Sequence, residues 1–177
     1  MTSKQLVIMR GLPCCGKSYT AKEIIEKNPE GVIFSTDDYW YEVVKPDQPD
    51  TYNYIPRYVG IAHDWNQQRA FRAIEAGQTP ILIDNTNVCF DEFRPYVEYS
   101  LPQDYEVILQ EPTSETWLEN SPYLKDTRRF KRELKRWAKD LEECSKGLHD
   151  VPYWAIERKM WRWESAEEIQ RKIEELQ

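Results

Sequence analysis

The sequence predicts an α/β protein built on a parallel sheet, and three observations support that class. Short apolar, β-branched segments alternate with longer segments of helical periodicity. Each apolar segment ends in polar residues, which places those residues together at the carboxyl edge of the predicted sheet. The 177 residues contain no internal repeat and match the size of one domain, so we expect a single domain over residues 1–177.

The predicted elements follow from local pattern and punctuation. A segment rich in Pro, Asp and Tyr predicts a loop over Tyr39–Ile55, and Gly77 marks the end of the helix that follows it. Strands are predicted over residues 4–10, 31–34, 79–83 and 105–110, with helices over residues 16–27, 57–76 and 91–99.

Beyond Pro112 the strand signals stop, and a C-terminal helical lid region is predicted over about 113–177. Ser165 and Glu168 form a capping box for the last helix. A further helix is predicted after Pro152. Apolar residues recur at helical spacing at Phe130, Leu134, Trp137, Ala138 and Leu141, and again at Ile169, Ile173 and Leu176.

Composition excludes several classes of protein. Hydrophobic residues make up 40% and charged residues 31% of the chain, which excludes collagen-like and disordered classes. No apolar run approaches the roughly 20 residues of a membrane span, and Met1–Lys4 leads directly into a strand, so we expect a cytoplasmic or nuclear protein without membrane contact. The four cysteines lack metal-ligand spacing and are interpreted as reduced thiols.

The net charge of −7 is unevenly distributed. Residues 125–139 contain eight basic and two acidic side chains, whereas the rest of the chain is strongly acidic. An acidic protein is a poor partner for nucleic acid, but a local basic segment reverses that expectation.

A phosphate-binding motif follows the first predicted strand. Residues 11–18, Gly-Leu-Pro-Cys-Cys-Gly-Lys-Ser, fit G-x-x-x-x-G-K-[ST] between a strand and a helix, where this P-loop belongs. The glycines let the backbone wrap a phosphate, Lys17 reaches the β and γ phosphates, and Ser18 ligates Mg²⁺. We therefore expect ATP or GTP with Mg²⁺ to be held by Gly11, Cys14, Cys15, Gly16, Lys17, Ser18 and Tyr19.

Two further strands end in residues suited to phosphoryl transfer. Asp37 and Asp38 follow the second strand, where one carboxylate can accept the proton of an attacking hydroxyl, although capping of a helix near Tyr39 is the alternative. Asp84 ends the third strand and resembles the acid that holds Mg²⁺ through water. Asn85, Thr86 and Asn87 are predicted to contact phosphates or an acceptor sugar, or else to form an Asx-turn.

Four segments together resemble the polynucleotide 5'-kinase branch of P-loop phosphotransferases. They are residues 6–18, 34–39, 62–70 and 83–87, and the resemblance covers about two thirds of the chain. That branch includes end-healing RNA and DNA kinases, a vertebrate ubiquitin-ligase-binding family, and the P-loop region of 2',3'-cyclic-nucleotide phosphodiesterase. The resemblance implies that Asp37 is the general base, and that Lys17 and Ser18 are the Lys and Ser of the loop.

The chain departs from this pattern at two places. Trp40 stands where some 5'-kinases carry an acceptor-binding arginine, and the lid arginine has no certain counterpart. We expect Arg128 or Arg132 to supply it, with Lys146 as the fallback, and acceptor contacts from Asp38, Trp40, Arg69 and residues 85–87. One aromatic in the predicted loop should stack on a nucleobase.

The predicted activity is transfer of the NTP γ-phosphate to the 5'-hydroxyl of DNA or RNA. A small-molecule or nucleotide kinase on the same scaffold, and a non-catalytic nucleotide-binding module that serves a partner protein, are the alternatives. The acidic net charge favours the small-molecule kinase, whereas the basic segment and the aromatic loop favour the polynucleotide.

Overall fold

A four-stranded parallel sheet forms the centre of the molecule, as the sequence predicts. The computed structural model describes residues 3–44, 46–47 and 51–177. The strands are β1 (Lys4–Met9), β2 (Val32–Phe34), β3 (Ile81–Asp84) and β4 (Tyr105–Gln110), in the order β2-β3-β1-β4. Parallel pairing sets Met9 opposite both Asp84 and Gln110, so the strand ends that carry polar residues meet at one edge.

Eight α-helices surround the sheet in the described residues. They are α1 (Lys17–Lys27), α2 (Asp38–Glu42), α3 (Val59–Glu75), α4 (Arg94–Ser100), α5 (Glu115–Asn120), α6 (Lys131–Ser145), α7 (Tyr153–Trp161) and α8 (Ala166–Glu174). Short 3₁₀ segments precede α3 and α4 and connect α5 to α6. The capping box at Ser165 and Glu168 is present at the start of α8, as predicted.

Both faces of β1 are buried, which explains its nearly continuous apolar sequence. Leu6 and Ile8 face a core formed with α3, α4 and α8, while Val7 and Met9 pack with Ala21 of α1 on the opposite face. Parallel backbone pairing with β3 on one side and with β4 on the other fixes the register of β1. The polar ends of the strands are thereby held at the edge of a rigid sheet.

Two details of the predicted secondary structure are wrong. The predicted loop Tyr39–Ile55 begins inside helix α2, because Tyr39 and Trp40 are buried against Ala62 of α3. Leu176 does not join the apolar face of the last helix, because α8 ends at Glu174 and the side chain is 36% exposed. The parts of the sequence predictions that concern Met1, Thr2, Lys45 and residues 48–50 lie outside the described residues.

A second apolar cluster joins the C-terminal helices to the phosphate-binding loop. Trp117 of α5, Trp137 of α6 and Met160 of α7 pack together with Leu12 and Cys15 of that loop. The predicted apolar face of α6 is confirmed at Leu134, Trp137, Ala138 and Leu141, which are buried, whereas Phe130 precedes the helix and is only half-buried. None of the helices in the described residues is sufficiently long and apolar to traverse a membrane.

Arg10 connects the end of β1 to the C-terminal helices and is fully buried. Its guanidinium donates to the carbonyl oxygens of Asn87 at 3.2 Å and Glu164 at 2.6 Å, and it lies 3.3 Å from the Glu111 carboxylate. The Trp163 ring covers its face with a centroid distance of 4.4 Å. A buried cation of this kind is tolerated only because it is paired and hydrogen-bonded.

Candidate functional site

A cleft of about 790 Å³ opens at the carboxyl edge of the sheet, where β1 and β3 lie side by side. The connection after β1 and the connection after β3 run toward opposite edges of the sheet. Open α/β sheets bind ligands at the point where the strand order reverses in this way. Residues from four parts of the chain line it: the loop after β1, the segments that follow β2 and β3, the helices α2 and α3 with the tyrosines before α3, and the segment around α6 and α7. Of the predicted site residues, the cleft contains Cys14, Gly16, Lys17, Ser18, Tyr19, Asp37, Trp40, Asp84, Asn85, Thr86 and Asn87.

The loop over residues 11–16 needs glycine at both of its ends. Gly16 has a φ of +92°, in the region that favours glycine, and α1 begins directly after it. A Cβ on Gly11 would lie 2.7 Å from the Cys15 sulfur, which is itself tied to the Leu12 carbonyl at 2.7 Å. Ser114, at the start of α5, supports the loop from outside by donating to the Cys15 carbonyl at 2.8 Å.

The loop residues divide into those that face the cleft and those that shape the loop. Lys17 faces the cleft and donates to the Leu12 carbonyl at 3.2 Å, which places an ammonium beside the N-terminus of α1. Ser18 also faces the cleft. Gly11 and Cys15 do not line it, and burial raises the pKa of the Cys15 thiol, which stays protonated as a hydrogen-bond donor. The first group is therefore positioned to contact a phosphate, whereas the second maintains the shape of the predicted phosphate-binding loop.

Asp37 occupies the N-cap position of α2, yet its side chain makes no capping bond. Its Oδ1 accepts a hydrogen bond from the Tyr52 hydroxyl at 2.9 Å, and its Oδ2 lies 3.6 Å from Nδ1 of His149. Burial, with the Asp37 charge beside it, raises the pKa of Tyr52 far above its usual range, so the phenol remains a donor. The carboxylate is 43% exposed and faces the cleft that contains Lys17.

Asp38 is hydrogen-bonded to neighbouring residues and does not line the cleft. Its Oδ2 accepts from Arg69 at 2.8 Å and from the backbone NH of Ser35 at 3.2 Å. Arg69 also lies against the Trp65 ring at 4.2 Å, outside the cleft lining. The two adjacent acids thus have different environments, and acceptor contacts by Asp38 or Arg69 stay predictions that would need this ion pair to open.

The end of β3 supplies one unsatisfied acceptor. Oδ1 of Asp84 is buried and has no hydrogen-bond partner among the described residues, although Asp84 lines the cleft. A buried carboxylate oxygen without a donor is costly, and a cation or its water shell would satisfy it. In residues 3–44, 46–47 and 51–177 no three His, Cys, Asp or Glu side chains cluster as metal ligands. Asp84 and Ser18, which both line the cleft, are therefore the residues that would hold a Mg²⁺ there.

Residues 85–87 are largely hydrogen-bonded within the protein. Asn85 accepts from the backbone NH of Thr36 at 2.9 Å, and Asn87 donates to the Met9 carbonyl at 2.7 Å. These bonds are not the predicted Asx-turn, because the Asn87 amide donates to the carbonyls of Met9 and Ile83 and is 1% exposed. Thr86 connects two walls of the cleft, because its carbonyl accepts from the NH of Gly11 at 2.9 Å and its hydroxyl accepts from Lys159 at 2.7 Å.

Lys159 and His149 are site residues that sequence reasoning missed. Lys159 of α7 projects into the cleft, where burial first, and then the charges of Lys17 and Arg162, lower its pKa. His149, in the loop between α6 and α7, stacks on Tyr52 with ring centroids 4.4 Å apart. Neither residue belongs to a sequence motif. Each reaches the cleft only through the packing of the C-terminal helices.

Three predicted residues are placed away from the expected contacts. Arg128 and Arg132 are exposed and do not line the cleft, so their contact with donor phosphates stays a prediction that requires the basic segment to move. Trp40 borders the cleft but is only 2% exposed, and its ring meets that of Tyr54 edge-on at 5.0 Å. Tyr54 is 50% exposed and offers the more accessible aromatic surface.

Comparison with known proteins identifies the family of this chain. Residues 6–121 match the family model described as an AAA domain, and the match includes β1–β4 with the phosphate-binding loop. The chain belongs to that family. The predicted membership in the P-loop kinase family is thereby confirmed.

Human NEDD4-binding protein 2 is 45% identical to this chain over 117 residues, which are 66% of the chain and 6% of that protein. The AAA domain described here thus spans a small part of the length of this relative. NEDD4-binding protein 2 fits the ubiquitin-ligase-binding branch that the sequence resembles.

Two solved structures share the fold. A chain of the Pnkp1/Rnl/Hen1 RNA repair complex aligns with 97% of this chain and 47% of its own length, at 15% identity and a TM-score of 0.56. A candidate kinase from Chloroflexus aurantiacus aligns over 92% of this chain and 80% of its own, at 16% identity and a TM-score of 0.52. The predicted α/β class with a P-loop kinase fold is confirmed.

Proposed function

We propose that this AAA domain transfers the γ-phosphate of ATP or GTP to the 5'-hydroxyl end of a nucleic acid. The observation that carries the proposal is the Asp37 carboxylate, which faces the P-loop cleft, makes no capping bond and is flanked by aromatic rings. A general base must face the acceptor hydroxyl, and an aromatic wall beside it suits an unstacked base. The RNA repair assembly named among the structural relatives supports this choice of acceptor.

In the proposed reaction, Asp37 accepts the proton of the acceptor hydroxyl as its oxygen forms a bond to the γ-phosphorus. The bond from that phosphorus to the β,γ-bridging oxygen breaks, and a nucleoside diphosphate leaves. Lys17 and Lys159 stabilise charge on the phosphate oxygens, because electrostatic stabilisation dominates phosphoryl transfer. Mg²⁺ bound at Ser18 and Asp84 would neutralise charge on the β and γ phosphates.

The test is label transfer from γ-³²P-ATP or γ-³²P-GTP to four acceptors. These are a 5'-hydroxyl RNA, a 5'-hydroxyl DNA, the same oligonucleotides with a 5'-phosphate, and a pool of small metabolites. We expect label on the 5'-hydroxyl oligonucleotides and none on their 5'-phosphorylated counterparts. Label confined to small metabolites would replace the proposal by the small-molecule kinase, which the cleft volume and the acidic net charge favour.

Asp37→Asn and Asp38→Asn form a matched pair for the base. Asp37→Asn should leave nucleotide affinity near wild type and lower kcat by about 100-fold or more, because an amide cannot take the proton. Asp38→Asn weakens the contact with Arg69 and should cost about 1 kcal/mol of stability with little effect on kcat. A larger loss of kcat in Asp38→Asn would assign the base to Asp38 instead.

Tyr54 provides a test of the acceptor wall. Tyr54→Ala should raise the acceptor KM by about fivefold to 100-fold, the range that corresponds to loss of one stacked base, while donor KM is unchanged. Tyr54→Phe, which keeps the ring, is the matched control. Equal acceptor KM in both variants and in wild type would remove Tyr54 from the acceptor site.

A further inference from the structure

A continuous basic surface covers the exposed side of α6, and we term it the α6 basic face. It is formed by Lys131, Arg132, Lys135, Arg136 and Lys139, all exposed. At 3.6 residues per turn these five side chains fall within a sector of about 140°. The buried residues of α6 occupy the opposite side of the helix, so the five basic side chains take no part in packing the core.

The basic side chains of this face are not neutralised by the protein. Among the ion pairs of the described residues, none includes a member of the α6 basic face. Of the three acids near the end of α6, Glu142 accepts from the NH of Tyr153, Glu143 pairs with Lys146, and Asp140 is exposed and forms none of these ion pairs. The concentrated positive charge is therefore available to an external anion.

The position and length of the face indicate the shape of that anion. Cys144, in the last turn of α6, borders the cleft, so the helix extends away from the site over about 20 Å. Lys131, Lys135 and Lys139 follow one another at four-residue spacing over about 12 Å, a distance that spans three to four phosphates of one strand. Charges farther away than about 8 Å are largely screened at physiological ionic strength, so the acidic remainder does not cancel this attraction.

We propose that the α6 basic face binds the phosphodiester backbone of a nucleic acid several nucleotides away from the end held in the cleft. The surface makes no base contacts in this proposal, so binding is independent of sequence and sensitive to salt. The choice of partner rests on the proposed function, but the binding measurement does not, because it requires neither nucleotide nor turnover.

The test is fluorescence anisotropy with dT20 labelled at its 3' end, between 50 and 300 mM KCl, without nucleotide. In the triple variant Lys131→Gln, Lys135→Gln and Lys139→Gln, the slope of log Kd against log[KCl] should fall by about 2, since each lost single-strand contact removes about 0.7. The Kd at 100 mM KCl should rise by about tenfold or more. Gln is a good helix former, and circular dichroism confirms that α6 persists.

The matched control is Lys22→Gln, Lys27→Gln and Arg94→Gln, which removes the same charge from exposed positions elsewhere. It should leave the slope unchanged. An equal loss in both variants, or an unchanged slope in the α6 variant, would overturn the proposal. So would binding to vesicles with one quarter phosphatidylserine but not to dT20, which would identify a membrane surface as the partner.

Label transfer separates this inference from the proposed function. A wild-type protein that binds dT20 through α6 but labels no 5'-hydroxyl end would retain the docking surface and refute the kinase. A protein that labels dT5 and dT20 with equal acceptor KM in wild type and in the α6 variant would retain the kinase and refute the surface.

Discussion

The AAA-matched region, residues 6–121, and the C-terminal helices beyond it build the cleft in different ways. In the first region the residues proposed for phosphoryl transfer follow the ends of strands, whereas Tyr52 and Tyr54 reach the cleft from the segment that precedes α3. In the second, Lys159 and His149 arrive through helices that pack against the loop. The residues proposed for the chemistry are thus held by the sheet, whereas the C-terminal helices contribute a second, charged wall of the cleft.

The largest effect should come from the sheet side. Lys17→Ala removes the ammonium beside the N-terminus of α1 and should lower phosphoryl transfer by more than about 100-fold, the scale for loss of one transition-state donor. Label transfer under saturating nucleotide measures it, with the exposed Lys27→Ala as control. Activity of Lys17→Ala within a few fold of wild type would mean that the loop does not bind the reacting phosphates.

Arg10→Met tests the connection between the two regions. Its loss leaves the Glu164 carbonyl without its donor and removes the cation beside the Glu111 carboxylate, which keeps only the hydrogen bond from Trp117, and should reduce the free energy of unfolding by about 3 kcal/mol. Urea unfolding gives the value. Arg94→Met, which removes only a surface pair with Glu98, should change stability by less than about 0.5 kcal/mol. Similar losses in the two variants would show that the regions are held together without Arg10.

Lys159→Met measures what the C-terminal helices add to catalysis. We expect kcat to fall by about 10-fold to 100-fold, less than for Lys17, because the side chain also bonds to Thr86 and reaches phosphate from a helix. Lys172→Met removes a half-buried lysine that pairs with Glu164 and does not line the cleft, and it should leave kcat unchanged. If Lys159→Met leaves kcat at the wild-type value, the C-terminal contribution is structural alone.

Tyr52→Phe and His149→Gln compare the two contacts of Asp37. Tyr52→Phe removes a 2.9 Å hydrogen bond and should lower kcat by about twofold to tenfold, the value of one net hydrogen bond. His149→Gln removes a longer, exposed contact of 3.6 Å and should change kcat by less than about fivefold. A larger effect at His149 would reverse the ranking of the two regions.

The sequence predicts the sheet and its motif residues well for a physical reason. A P-loop and an acid after a strand are local patterns, and parallel strands carry them to one edge whatever the rest of the chain does. The nearby aromatics were harder to interpret, because Trp40 is buried by contact with Ala62, which lies 22 residues away along the chain. Lys159 had no local signal at all, since its role depends on a contact with Thr86, 73 residues earlier.

The adjacent acids Asp37 and Asp38 show the same limit of prediction from local sequence. Spacing alone could not distinguish a base from a helix cap at Asp37 and Asp38. The distinction depends on Arg69, 31 residues away, which pairs with Asp38 and leaves Asp37 to Tyr52. Long-range partners, rather than the motif, therefore select the candidate base.

The buried guanidinium of Arg10 has a consequence for the order in which the chain folds. Its hydrogen bond to the Glu164 carbonyl spans 154 residues, one of the longest loops that this fold must close. At a synthesis rate of 5–20 residues per second, about 10 to 30 s pass between the appearance of the two residues on the ribosome. Asn87 and Glu111, two other partners of Arg10, appear earlier, so until Glu164 is made the guanidinium is only partly hydrogen-bonded by protein. We therefore expect the end of the strand that leads into the P-loop to stay partly hydrated until the C-terminal helices have packed against it.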